Sequence, residues 1–172
     1  SQEDVWSKTI YERIDTTISI YRQEALVEEF IEGKELTVGI LANGKIEVLP
    51  ILEIDFSSCK ESGEYFYSWK MKEFQGNKEM GCTPNFYCPG RLSEEIAQKV
   101  KEAALGAHKA LGCLDISRTD IRLSQDNIPY VLEVNPLPGL DPKESNFPLI
   151  ARAAGIEYND LIKSILESAI GR

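Results

Sequence analysis

The stretch YVLEVNPLPGLDP, residues 130–142, places a carboxylate, Glu133, and an amide, Asn135, two residues apart at the end of a run of strand formers. A loop of prolines and one glycine follows. Side chains alternate across a strand with period two, so both groups project from one face. Upstream, ISRTDIRL carries Arg118 and Asp120 at the same spacing. Between the two segments lies Gln125-Asp126-Asn127-Ile128, and Asp-Asn suits the left-handed conformations of a tight turn. A two-residue loop at Asp126 and Asn127 sets Asp120 opposite Glu133 and Arg118 opposite Asn135. Ile121, Leu123, Leu132 and Val134 then share the other face, as a helix-covered core side requires.

Two chemistries suit such a cluster. A solvated sheet face with an Arg–carboxylate ion pair is one, worth about 0–1 kcal/mol. The other is a metal–phosphate site, because Mg2+ takes hard oxygen ligands, commonly one or two carboxylates together with phosphate oxygens. Asp120, Glu133 and the Asn135 carbonyl supply such ligands. Two carboxylates facing each other across strands repel, and a divalent cation gives their juxtaposition a purpose.

The elements that position these groups follow from periodicity. Trp6, Ile10, Ile14, Ile18 and Tyr21 recur at helical spacing and predict a helix over residues 4–22. LVEEFI, ELTVGIL and IEVLPILEIDF then read as a meander of three antiparallel strands over residues 25–56, with Asn43-Gly44 as a hairpin turn. Residues 57–90 lose periodicity and read as a long loop, a length usual for functional segments. Ser93 caps a helix with Ile96, Val100, Ala103, Ala107 and Leu111 on one stripe and Gly112 as its stop. Strands over 115–124 and 129–135 and two short closing helices complete an α+β chain.

Composition bounds the function. At 172 residues the chain can bury roughly 70% of its unfolded surface in one domain or two small lobes. A formal charge of −9 argues against a nucleic-acid partner, and no apolar run reaches the roughly 20 residues of a membrane span. The N-terminus SQEDVW has neither a basic nor an apolar leader region, and the missing initial Met reads as a processed or excised chain. Four cysteines without C-x-x-C spacing and a single histidine, His108, speak against structural zinc and triad catalysis. Reduced thiols in a cytosol are expected.

LVEEFIEGKELTVGIL, LGCLDISRTDIRL and VLEVNPLPGLDP, in this order, resemble the C-terminal two thirds of an ATP-grasp ligase, with the D-alanine–D-alanine ligase group as the nearest likeness. The likeness extends through FPLIARAAGIEYNDLIKSIL. It implies an ATP-grasp C-terminal lobe over residues 25–172, mainly antiparallel, with helices packed on one side and the other facing the nucleotide. Residues 1–24 are then a remnant of the preceding central lobe. The implied reaction is ADP-forming carboxylate–amine ligation through an acyl phosphate. ATP and two Mg2+ ions are the implied cofactors, with Mn2+ an alternative metal.

The resemblance also assigns residues. Glu28 and the backbone of Glu29, Phe30 and Ile31 hold adenine, Glu35 accepts from the ribose hydroxyls, and Lys72, with Lys70 as second choice, contacts the phosphates from a mobile loop. Asp120, Glu133 and Asn135 hold the metal, and Arg118 with the Gly139 N–H surrounds the oxyanion of the tetrahedral intermediate. Ser145 is placed on the acceptor carboxylate. Glu73 stands where these ligases carry an aromatic residue, and DPKESNFP is one residue longer than its counterpart, so the acceptor stays open between D-alanine and another amino acid or peptide. A non-catalytic nucleotide-binding module is the remaining alternative, against which the facing carboxylates argue. Implied partners are amino-acid substrates and the N-terminal and central lobes of the same protein, with a homodimer of the full-length enzyme as an option. Neither nucleic acid nor membrane is expected, and the cytoplasm is the implied location.

Overall fold

The structure is a computed structural model and describes residues 2–62 and 83–171. They divide into two units, residues up to Phe30 and residues from Ile31 onward. The first unit is helix α1, Gln2–Tyr21, with the segment that follows it. Threonines at mid-helix are accommodated because the hydroxyls of Thr16 and Thr17 donate back to the carbonyls of Glu12 and Arg13, at 2.7 and 2.8 Å. The strand expected over LVEEFI does not form. Among the described residues, 24–32 join no ladder, and Leu26, Val27 and Phe30 are exposed, so β propensity alone does not make a strand here.

In the second unit β1, Gly33–Asn43, and β2, Lys45–Asp55, form a hairpin around Gly44, whose φ of +70° is the left-handed conformation expected of the Asn-Gly turn. The short β3, Asn85–Tyr87, pairs with the end of β2 inside the region expected to be loop. Helix α2, Glu94–Ala110, starts where Ser93 caps it, the serine oxygen accepting from the Ile96 N–H. Strands β4, Ile116–Ser124, and β5, Pro129–Asn135, then form the second hairpin. Helices α3, Asn146–Ala153, and α4, Tyr158–Ile170, close the chain. The sheet runs β3-β2-β1-β4-β5 with every neighbour antiparallel.

Strict alternation along β1 divides the sheet into two faces. Leu36, Val38 and Ile40 face α2 and pack with Ile51, Val100, Ala104, Ile121 and Leu123. Each Val, Leu or Ile side chain among them, fully buried, contributes about 1.5–3 kcal/mol. On the opposite face Leu41, Leu49 and Leu52 pack with Phe147, Ile150 and Leu161 of α3 and α4, but only at one end. Gly39 makes room there, since a Cβ would stand 3.2 Å from both Leu49 and Phe147. The expected antiparallel sheet with a helix-covered side is therefore present, and α3 and α4 extend cover to one end of the second face. The rest of that face holds Glu35, Thr37, Arg118, Asp120 and Arg122.

Most polar groups inside the unit are paired, the buried Thr119 hydroxyl being an exception. Glu53 is buried on the α2 face, where burial opposes its charge, but the Arg91 side chain and N–H and Lys34 Nζ, at 2.8, 2.7 and 3.1 Å, hold it below the usual carboxylate range. His108 of α2 is buried with Nδ1 2.8 Å from Ser117 Oγ. Cys59 is disulfide-bonded, which corrects the expectation of reduced thiols, and Cys88 and Cys113 are free. Burial pushes the Cys88 thiol up to about 11, so it is not a nucleophile at neutral pH. Among the described residues no helix is long and apolar enough to cross a membrane.

Candidate functional site

The β4–β5 hairpin builds the site, and it does so by two irregularities that offset each other. The turn holds three residues rather than two: Ser124 N–H donates to the Ile128 carbonyl at 3.0 Å, enclosing Gln125, Asp126 and Asn127, with Asn127 at φ 61°. Leu123 accordingly faces Pro129 and Ile121 faces Val131. A bulge then inserts Leu132, and beyond it Asp120 faces Glu133 and Arg118 faces Asn135. The expected register is thus correct at the site and off by one near the turn. Leu132, expected in the core, is the inserted residue and is 54% exposed.

Asp120 is the centre of the cluster. Its Oδ1 accepts from Thr37 Oγ1 and from Arg118 Nε, both at 3.0 Å, and its Oδ2 accepts from the other end of the guanidinium at 2.8 Å. Arg118 lies 3.9 Å from Glu133 Oε1, which also accepts from Asn135 Nδ2 at 3.1 Å. Burial raises the Asp120 carboxyl above its ordinary value, Arg118 works against that rise, and Glu133 adds to it. Such a site favours additional positive charge.

A hard divalent cation fits this donor set, with carboxylate oxygens from Asp120 and Glu133 and the Asn135 carbonyl on one face. Among the described residues no group of three or more His, Cys, Asp or Glu gathers, and Asp120, Glu133 and Asn135 offer two carboxylates and an amide. A magnesium ion held there would take its remaining ligands from phosphate and water.

A second polar pair lies further along the same face. Glu35 of β1 faces Arg122 of β4, the guanidinium standing 3.4 Å from Glu35 Oε2 and donating its Nε–H to the Ile31 carbonyl at 3.0 Å. Burial works against the Arg122 charge and the Glu35 carboxylate supports it. Gly33, between Ile31 and Glu35, has φ 147°, and a Cβ there would collide with the Leu123 carbonyl. Ile31 and Glu35 are therefore brought together. Glu28, Glu29 and Phe30 belong to the first unit and are exposed.

Gly139 and Ser145 meet in the loop after β5. A Cβ on Gly139 would stand 2.7 Å from Ser145 Oγ, so glycine permits this close approach. Ser145 precedes α3 without capping it; its Oγ accepts from the Asp141 N–H at 3.1 Å. Lys72, Lys70 and Glu73 lie outside the described residues. Thr37 and Arg122 were not singled out from sequence. The signal for both was available: Arg118, Asp120 and Arg122 share a period of two, as do Glu35 and Thr37 on the neighbouring strand.

Comparison with known proteins supplies the family. The family model described as D-ala D-ala ligase C-terminus matches residues 5–167. An uncharacterized protein of Sinorhizobium fredii is 32% identical, the match covering 93% of this chain and 45% of that protein. A D-alanine–D-alanine ligase of Pseudothermotoga lettingae is 35% identical over 95% of this chain and 50% of the ligase. The crystal structure of the D-alanine–D-alanine ligase from Bacillus anthracis complexed with ATP superposes with a TM-score of 0.71 at 29% identity, covering 95% of this chain and 46% of that one. The chain spans about half the length of the curated relatives it matches. By fold, motif order and family match, the chain belongs to the D-alanine–D-alanine ligase C-terminal domain family.

Proposed function

We propose that the chain is the catalytic lobe of an ATP-dependent, ADP-forming carboxylate–amine ligase of the D-alanine–D-alanine type, serving peptidoglycan synthesis. One observation carries the reading: Asp120 and Glu133 oppose each other in register on the sheet face opposite α2, beside Arg118. In the proposed reaction a substrate carboxylate attacks the γ-phosphate of ATP and ADP leaves. The amine of a second amino acid then attacks the acyl phosphate carbonyl, and phosphate departs.

The residues divide this work. Asp120, Glu133 and Asn135 hold Mg2+, whose contribution is to neutralise the phosphates during transfer. Arg118 and the Gly139 N–H stabilise charge on the reacting carbonyl. Glu28, Glu29, Phe30 and Ile31 receive adenine, Glu35 the ribose and Ser145 the acceptor carboxylate, while Lys72 meets the γ-phosphate. Residues 1–24 are a remnant of the central lobe, and lobes further upstream complete the site, in a cytoplasmic enzyme that can pair as a homodimer.

The test is a chimera joining this chain to the upstream half of the Pseudothermotoga lettingae ligase. Folding is confirmed by melting, and ADP release is measured against added amino acids. D-alanine-dependent release, abolished by Asp120→Asn, is expected. Release that responds only to another amino acid would reassign the acceptor, and a folded chimera without release would refute the catalytic reading.

A further inference from the structure

Arg122 stands on the same face as Asp120, two residues along β4, with its side chain only 6% exposed. A guanidinium withdrawn from water is costly unless its planar fork finds partners. Two of its partners lie on one short segment: the Ile31 carbonyl, 3.0 Å from Nε, and the Glu35 carboxylate, 3.4 Å from the terminal nitrogen. Between them Gly33 lies against the Leu123 carbonyl, an approach that no Cβ permits. Just outside, Gln125 Nε2 donates to Glu32 at 3.1 Å. The segment from Ile31 to Glu35 is thus anchored to β4 and its turn at successive points. Arg122 is the only one of these anchors that touches a carbonyl and a carboxylate at once.

We propose that Arg122 is a positioning residue of the nucleotide site and, through Glu35, a determinant of the sugar it accepts. The inference rests on the nucleotide reading above. An ionised carboxylate has about four lone-pair sites, so being held by a guanidinium does not exhaust its capacity to accept from sugar hydroxyls. What the guanidinium removes is rotamer freedom, which a free glutamate would lose on binding. Lysine cannot replace it, because a point charge on a flexible stem does not serve a carbonyl and a carboxylate in one plane.

The experiment compares Mg2+–ADP with Mg2+–2′,3′-dideoxy-ADP, by calorimetry and amide NMR titration of the 172-residue chain. Melting temperatures are recorded in parallel. The wild type is expected to prefer the ribose nucleotide about tenfold, the scale of one hydrogen bond to a charged group. Arg122→Lys and Arg122→Met are expected to bring that preference below about twofold, as Glu35→Gln does, with dideoxy-ADP affinity falling less than ADP affinity. Equal loss of both affinities in step with melting temperature, with the preference kept, would make Arg122 merely structural and overturn the proposal. So would a preference lost in Glu35→Gln but retained in both Arg122 variants, which leaves the nucleotide reading intact. A wild type that binds neither nucleotide, or both equally, defeats the ribose-site reading itself and the proposal with it.

Discussion

Asp120 is held by three hydrogen bonds from Thr37 and Arg118, yet burial and the facing Glu133 raise its carboxyl. The balance makes Arg118 and Glu133 separable by mutation. In the chimeric enzyme, Arg118→Ala should slow single-turnover ligation by about 3–4 kcal/mol of barrier, as for an oxyanion donor, with less effect on nucleotide affinity. Glu133→Ala should weaken Mg2+–nucleotide binding first. If Arg118→Ala leaves ligation intact and lowers only the melting temperature, the arginine is simply the ion-pair partner of Asp120. His108 offers a test of a different kind. Burial, and secondarily the charge of Lys109, holds it below its usual 6.5, so the unfolded chain binds the extra proton as pH falls past that value. Stability should therefore be whole above pH 6.5 and decline below it. Urea midpoints at about pH 7.5 and about pH 5.5 should differ in the wild type and differ less in His108→Gln. Equal pH dependence in the two proteins would contradict this.

At the level of elements, the β4–β5 hairpin explains what the sequence could reveal. Opposition of Asp120 and Glu133 is legible from period two, yet it holds because a three-residue turn and a bulge at Leu132 offset each other. Nothing local in PYVLEVN announces the bulge, so Leu132 reads as core and is exposed. LVEEFI reads as a strand because its residues favour one, but pairing depends on a neighbour that local propensity does not specify. Strand β3 was missed because three residues hold no period to detect. Capping at Ser93 and the Asn-Gly turn are local chemistry and are read correctly. Glycines test the packing that results. Gly33→Ala drives a Cβ into the Leu123 carbonyl, and Gly39→Ala presses on Phe147 and Leu49. The second should cost about 1–3 kcal/mol by overpacking, and the first more, because backbone must move. Denaturation midpoints would check the order, and a Gly33→Ala variant as stable as the wild type would contradict the close approach of β1 and β4.

On the scale of the whole molecule, the chain belongs to the ligase C-terminal domain family and spans about half the length of its curated relatives. Orientation of two reactants accounts for roughly 7–11 kcal/mol of a barrier, and in the proposed enzyme the donor is oriented by lobes other than this one. The 172-residue chain alone should therefore form no D-alanyl dipeptide from ATP and D-alanine, and measurable dipeptide would contradict that division of labour. Its acidic balance, −9 in formal charge, means that the nucleotide of the proposed enzyme would be drawn by local cations and metal rather than by the general field. The most direct test of the central claim is paramagnetic: Mn2+ titrated with a non-hydrolysable ATP analogue into the labelled chain. The account predicts analogue-dependent broadening centred on Thr37, Arg118, Asp120, Glu133 and Asn135 and diminished in Asp120→Asn. Broadening that ignores the analogue, or that spares those residues while affecting carboxylates elsewhere, would contradict it.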